Sequence, residues 1–460
     1  MMKILKKIPA YFACLLFVII SSNVAFSAPV SVEKAKSVAL NFFKNVDSQI
    51  SLDLVYTREN SFYVFGNECG WVIVSAQDAV TPILAYSTES QFKVPSSVAD
   101  TTVGNNFWGW MKSIEDQIKF VEENNISATD EIQNQWNFLI AGNGGNKSPS
   151  VVVNPLLTTT WNQDWPYNNM CPADPAGPGG HVYAGCVATA MAQIMKYHNW
   201  PSQGLGSYSY TWGTYPQTTA NFGATTYNWA NMPNSISTVN NDIATIIYHA
   251  GVATRSMWGA GSTGVMVTSN TNPMLTGYIN YFKMAFSTIK YVQKSEYTDA
   301  EWHTLIQGEL IANRPVYYRG DGSLSHAWVC DGVDASNMYH FNWGWGGLYN
   351  GYFLLTNINP GGNTLTNNQA AIVGIKPNDG STLVTNTTWS GTISKATNVA
   401  VPDGITLTVS PGAIVSFGQD CKLQIWGKLT SIGTSSNYAK LTASNQTNGW
   451  DGIDWKEDYM

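Results

Sequence analysis

Small and apolar residues at Val187, Ala190, Met191, Ile194 and Met195 fall on the i, i+3, i+4, i+7 positions of a buried helical face. They predict a helix from Val187 onward, entered at Gly185 and stopped by Pro201. Upstream, Ala35, Val38, Ala39, Phe42, Phe43 and Val46 mark one amphipathic helix, and Phe107, Met111, Ile114, Ile118 and Val121 a second. Between them, residues 62–65, 71–74 and 83–86 read as strands. Strand patterns return at 315–318, 326–333, 338–343, 352–355 and 371–375. From residue 380 the rhythm changes to short, evenly spaced strands at 389–393, 405–409, 413–417 and 423–427, parted by turns such as Pro411-Gly412. That spacing suggests the rungs of a β-helix or a small β-sandwich. The pattern is still running at 450–453, so this end reads as incomplete or poorly ordered.

Residues 142–150, Gly-Asn-Gly-Gly-Asn-Lys-Ser-Pro-Ser, cannot bury enough surface to order themselves and read as an exposed linker open to proteolysis. The chain therefore divides into an α+β block (28–141), the linker (142–150), a second α+β block (151–377) and an all-β module (380–460). The second block holds all six histidines: His181, His198, His249, His303, His326 and His340.

Composition narrows the setting. The 460 residues are only 12% charged, with a net charge of −7. No basic footprint for nucleic acid is present. Lys3, Lys6 and Lys7 precede a short apolar run at 9–20, and Ala25-Phe26-Ser27 is a small-x-small cleavage site. Residues 1–27 thus read as a secretory signal peptide, too short to span a bilayer. Beyond Cys14 the cysteines are Cys69, Cys171, Cys186, Cys330 and Cys421. This odd number is no disulfide framework and leaves at least one thiol free.

Cys186 opens the central helix, where unpaired N–H groups and the dipole favour a thiolate. Taken singly, it could equally be a buried core cysteine. A base is available at His326. Residues 334–337 form a turn between two strands. If Val333 pairs with Met338, His326 falls opposite Trp345 and close to Asn342 and Trp343. Asn342 could hold the second ring nitrogen, with Trp343 and Trp345 as a shield. Gln163 is the candidate side-chain oxyanion donor, joining the Cys186 N–H. Cys171, His181, Cys186 and His198 match no familiar zinc spacing, so neither metal nor cofactor is expected.

The stretch 184–198, Ala-Gly-Cys-Val-Ala-Thr-Ala-Met-Ala-Gln-Ile-Met-Lys-Tyr-His, resembles the nucleophile helix of the streptopain family of secreted bacterial cysteine proteases. Ser325-His326-Ala327-Trp328-Val329 with Asp331-Gly332-Val333-Asp334 resembles its histidine strand. Residues 341–347, Phe-Asn-Trp-Gly-Trp-Gly-Gly, resemble its tryptophan loop, and Asn162-Gln163 with Pro166-Tyr167-Asn168 its oxyanion segment. The resemblance implies a papain-like fold, a helical half bearing Cys186 and a β half bearing His326. It implies Cys186 as nucleophile, His326 as base and Gln163 as oxyanion donor. Asn342, Trp343 and Trp345 would be supporting residues. The loop 261–264, with Gly261 and Ser262, resembles the border of the substrate cleft. Residues 70–75 and 82–87 resemble the family's inhibitory pro-domain. The implied protein is a secreted zymogen whose pro-domain covers the cleft until 142–150 is cut. Its partners would be protein or peptide substrates and its own pro-domain. Cys330 departs from the aliphatic residue common in that strand. Rival readings are another Cys-dependent acyl transfer, by an amidase or transglutaminase, and an inert papain-like scaffold serving adhesion.

Overall fold

The computed structural model describes residues 27–44, 51–94, 106–142, 151–267, 272–320, 326–355 and 369–456. Most of the expected signal peptide (1–26), linker residues 143–150 and Ser325 lie outside them.

The N-terminal block builds four antiparallel strands: β1 (Asp53–Arg58), β2 (Phe62–Gly66), β3 (Trp71–Ser75) and β4 (Ile83–Ser87). β3 is buried throughout because both of its faces are covered. Val72 and Val74 meet α1 (Val32–Phe43) and α3 (Asp130–Ile140), while Trp71 and Ile73 meet α2 (Asn106–Glu123). Ser31 caps α1 and Thr129 caps α3 through their side-chain oxygens. β1 and α3 were not expected from the pattern of apolar positions. β1 is only half covered, and α3 buries just Ile132, Trp136 and Leu139.

The middle block adds β5 (Val151–Val153), α4 (Cys186–His198), the short pair β6 (Tyr208–Tyr210) and β7 (Thr218–Ala220), α5 (Asn241–Ala253) and α6 (Pro273–Asn280). Next come β8 (Lys290–Gln293), α7 (Asp299–Ile311), β9 (Val316–Gly320), β10 (His326–Asp334), β11 (Met338–Asn342), β12 (Gly351–Leu354) and β13 (Gln369–Val373). Helices α4, α5 and α6 share one core, and α7 joins α2 on the sheet face. The expected helical half and β half are both present.

One sheet runs through both blocks, in the order β1-β2-β3-β4-β12-β11-β10-β9-β13-β8, with β5 attached to β10. Its seam is β4 on β12. Tyr352 pairs with Tyr86 and Phe353 with Ala85, and the rings of Tyr86 and Tyr352 stack at 4.8 Å.

The β10–β11 hairpin corrects the expected register at its turn. Val333 pairs with Tyr339, not Met338. An irregularity between Cys330 and Gly332 absorbs one residue, so that Val329 faces Asn342. The expected pairing is thus regained at the His326 end.

The C-terminal module is a parallel β-helix, not a sandwich. Each of three coils gives one strand to each of three parallel ladders. These are β14 (Thr387–Trp389), β17 (Thr406–Val409) and β20 (Lys428–Ser431); β15 (Thr392–Lys395), β18 (Ile414–Phe417) and β21 (Lys440–Ala443); and β16 (Val399–Val401), β19 (Lys422–Ile425) and β22 (Gly452–Trp455). Leu407, Val409, Val415, Phe417, Leu423 and Ile425 fill its interior. Ala400 joins the α4–α6 core, and Trp426 lies edge-on to Phe286, fixing the helix to the middle block.

Candidate active site

The start of α4 is shaped by Gly185, whose φ of 91° is in the region that favours glycine. A Cβ there would lie 3.0 Å from Thr263, so the missing side chain also lets the 261–264 loop close against the helix entry. Cys186 is the first helical residue and half-buried, and Val187–Met195 behind it are buried without a break. Burial pushes the Cys186 thiol up from its ordinary value. The backbone N–H groups of Ala327, Val187 and Cys186 itself, with the charge of Arg319, pull it the other way.

Ala327 is the residue after His326. Cys186, His326 and Ala327 line the same cleft. Yet one ring nitrogen of His326 is not engaged. Nε2 of His326 is buried with no hydrogen-bond partner, so it makes none to Cys186. Burial holds the ring neutral, its pKa pushed down to about 4. The ring is covered by α2 of the N-terminal block. A Cβ on Gly109 would lie 3.2 Å from His326 Cδ2 and 3.6 Å from Nε2. Trp110 of the same helix packs edge-on against Trp328 at 5.6 Å, and Phe107 stacks on Tyr349 at 4.2 Å.

Gln163 lines the cleft with Cys186 and His326. Its carbonyl accepts from Ala184 N, tying this segment to the helix entry. Its side-chain Nε2 donates to the Gly344 carbonyl at 3.4 Å. Gly261, Ser262 and Trp345 also line the cleft. Two expected supporting residues stand elsewhere. Trp343 is fully buried, donates from Nε1 to the Tyr349 carbonyl and lies 5.0 Å from Trp328, as a core residue. The Asn342 amide is committed to other partners. Nδ2 donates to the Thr159 carbonyl at 2.7 Å, and Oδ1 accepts from Gln193 Nε2 and Gly344 N. It therefore braces α4 against β11 and does not orient His326. The residues weighed as zinc ligands do not converge: Cys186 and His198 occupy opposite ends of a 13-residue helix, roughly 18 Å apart at 1.5 Å per residue.

The cleft itself, about 420 Å³, is lined only by residues between Gln163 and Trp345. Among the described residues, the N-terminal block meets this site where Gly109 of α2 lies against His326, and residues 95–105 of that block lie outside the described residues. Gly109 and Arg319 were missed from sequence. Gly109 had a signal, a lone glycine inside a helical pattern, which costs about 1 kcal/mol against Ala and so suggests close packing. Arg319 follows Tyr317 by two strand positions, so the two share a face.

Comparison with known proteins follows this geometry. Residues 161–353 match the Peptidase C10 family, and residues 27–118 match the Spi protease inhibitor family. Streptopain of Streptococcus pyogenes is 32% identical over 379 residues, covering 74% of this chain and 88% of that protein. The thiol protease/hemagglutinin PrtT of Porphyromonas gingivalis is 29% identical over 391 residues, covering 76% of this chain. The chain spans only 42% of the length of that relative. A solved fragment of Prevotella intermedia prointerpain A superposes with a TM-score of 0.55 at 28% identity, covering 71% of this chain and 98% of the fragment.

Proposed function

The chain belongs to the peptidase C10 family and is a cysteine endopeptidase made as a zymogen, and from that premise we propose that Cys186 is the nucleophile, His326 its base and Gln163 an oxyanion donor. The observation that carries this reading is that Cys186 at the start of α4, His326 at the start of β10 and Gln163 line one and the same cleft. Once the N-terminal block (28–141) leaves, water reaches the imidazole and the cost of charging it falls. The thiol proton passes to His326. The thiolate attacks the substrate carbonyl carbon, and the oxyanion is held by the Cys186 N–H and Gln163 Nε2. The imidazolium protonates the leaving amine as the C–N bond breaks, leaving a thioester. His326 then takes a proton from water, whose oxygen releases the acyl group as a carboxylic acid.

The substrates are proteins or peptides, the inhibitor is the chain's own N-terminal block, and cleavage within 142–150 separates the two. The leader at 1–27 supports export from the cell. Among the described residues no helix is long and apolar enough to cross a membrane. Casein digestion by the full-length protein and by Cys186→Ser, with mass analysis of both N-termini, tests the assignment. The wild type is expected to shorten and to degrade casein. The variant is expected to stay at precursor length and do neither. Equal casein digestion by both removes Cys186 from the mechanism.

A further inference from the structure

Of the residues buried on α4, Val187 to Met195, only Thr189 and Gln193 carry polar side chains. Thr189 Oγ1 donates to the Gly185 carbonyl at its own helix entry. Gln193 is fully buried, and its amide bonds outside the helix. Its Oε1 accepts from Thr159 Oγ1 at 2.9 Å and from Trp161 N at 3.2 Å. Its Nε2 donates to Asn342 Oδ1 at 3.2 Å. An apolar side chain of the same size would fill this place without stripping an amide of water, so packing alone does not call for Gln193.

Both routes from this amide end at Gln163. Trp161 stands two residues before it. Asn342 Oδ1 also accepts from Gly344 N at 3.2 Å, and the Gly344 carbonyl accepts from Gln163 Nε2 at 3.4 Å. The Trp161 carbonyl accepts from Gly346 N, which joins the two segments a second time. The N–H groups of Trp161 and Gly344 can only donate, so they fix which way each amide faces. Gln193 follows Cys186 by seven residues, roughly two turns on one face of α4. A single side chain thus ties the segment of Gln163 to the helix whose first residue supplies the other oxyanion donor. Such donors act only when they lie about 2.7–3.1 Å from the place where the charge develops. We propose that Gln193 is a positioning residue for the oxyanion site: through Trp161, and through Asn342 and Gly344, it sets where Gln163 Nε2 lies relative to the Cys186 N–H.

This inference rests on the assignment of Cys186, His326 and Gln163, and the test keeps the two apart. Gln193→Met, similar in length but without the amide, is made in the full-length chain with and without Gln163→Ala. Each precursor is processed by tagged wild-type enzyme that is then removed. Active enzyme is counted by labelled iodoacetamide incorporated at Cys186, and kcat and KM are measured on one fluorogenic peptide. Alone, Gln193→Met is expected to lower kcat about tenfold and to change KM by less than about twofold. With Gln163→Ala already present it is expected to change kcat by less than about twofold, because the group it positions is gone. The rate of alkylation at Cys186 is expected to hold, since that step forms an S–C bond, releases iodide and develops no oxyanion. Equal kcat losses with and without Gln163→Ala overturn the proposal, as does alkylation slowed as much as kcat. Either result makes Gln193 a general support of α4. An unchanged kcat in Gln193→Met overturns it as well. If Gln193→Met yields no soluble protein, the same cycle with Thr159→Val decides. That variant removes one bond to Gln193 Oε1 and is expected to lower kcat about threefold only while Gln163 is present. An equal loss in both backgrounds, or none in either, overturns the proposal. Wild-type cleavage that survives iodoacetamide, or an unchanged kcat in Gln163→Ala, brings down the assignment of the reacting groups itself and this inference with it.

Discussion

The two halves of the proposed reacting pair sit in unequal states. On the helix side, Cys186 opens α4 with backbone N–H groups that favour its thiolate, and the 261–264 loop packs against the Gly185 turn. On the strand side, His326 is in place on β10, but its ring is held neutral and its Nε2 is buried and unpaired beside α2. On the proposed assignment, latency in this precursor falls on one imidazole. A blocked cleft would have to be emptied to start catalysis. A covered histidine needs only to be rehydrated and released. The helix half can therefore be built in its working form before processing.

The largest predicted effect tests the helix side. Gln163→Ala, processed by trace wild-type enzyme and corrected for it, is expected to lose about 10²- to 10³-fold in kcat with a far smaller change in KM. A loss mainly in KM would make Gln163 a substrate contact and leave the oxyanion without its side-chain donor.

On the strand side the effect should be smaller and opposite in sign. Gly109→Leu puts a branched side chain where even a Cβ comes within 3.2 Å of the His326 ring. Docking of α2 should weaken, and the full-length chain should process itself several-fold faster, followed by gel densitometry after a concentration jump. Gly109→Ala should do less, since the helix gains about 0.5–1 kcal/mol from losing its glycine while the ring yields a few tenths of an ångström. Slower processing in Gly109→Leu would mean the α2 contact does not restrain the histidine.

How much of this was legible in the chain follows the same division. The α4 helix and the β10–β11 hairpin carry strong local periodicity, so Cys186, His326, Trp345 and the 261–264 loop were found where the cleft now lies. The irregularity near Asp331 left no mark in the pattern, because the strand is buried on both faces and every position looks alike. Asn342 was misplaced for a related reason. Its neighbours in sequence say nothing of Gln193 and Thr159, which claim its amide. The choice between β-helix and sandwich turned on whether distant strands run parallel, which strand length and spacing do not encode. The contact of Gly109 with His326 joins separate blocks, brought together by the seam of β4 with β12 and the aromatic packing of α2.

That seam carries the smallest predicted effect, and it asks whether the N-terminal block is held on by charge as well as by apolar packing. Glu89, just past β4, forms an ion pair with Nε2 of buried His340 at 2.6 Å, while Asp331 meets Nδ1 at 2.6 Å. Tyr352 packs edge-on against the same ring at 5.2 Å, and Asp334 nearby in sequence accepts from Tyr86 instead. Burial alone would push the His340 pKa down, but Asp331 and Glu89 outweigh it and hold it up at about 10. Glu89 in turn is held below its ordinary 4.5 by His340, against the opposing effect of its burial. A histidine raised from 6.5 adds stability that is complete below about pH 6.5 and is lost as pH climbs through about 10. A carboxylate lowered from 4.5 adds stability present above that pH and lost as pH falls through its lowered value. The pair therefore works best between about pH 4.5 and 6.5. Glu89→Gln in the Cys186→Ala precursor should cost about 1 kcal/mol there, a modest amount because the Glu89 side chain is 40% exposed. The difference in thermal midpoint should shrink toward zero as pH rises through about 10, and again in strong acid. A difference that persists unchanged at pH 10 or above would assign the loss to packing, leaving the aromatic contacts of α2 and the β4–β12 ladder to hold the inhibitory block in place.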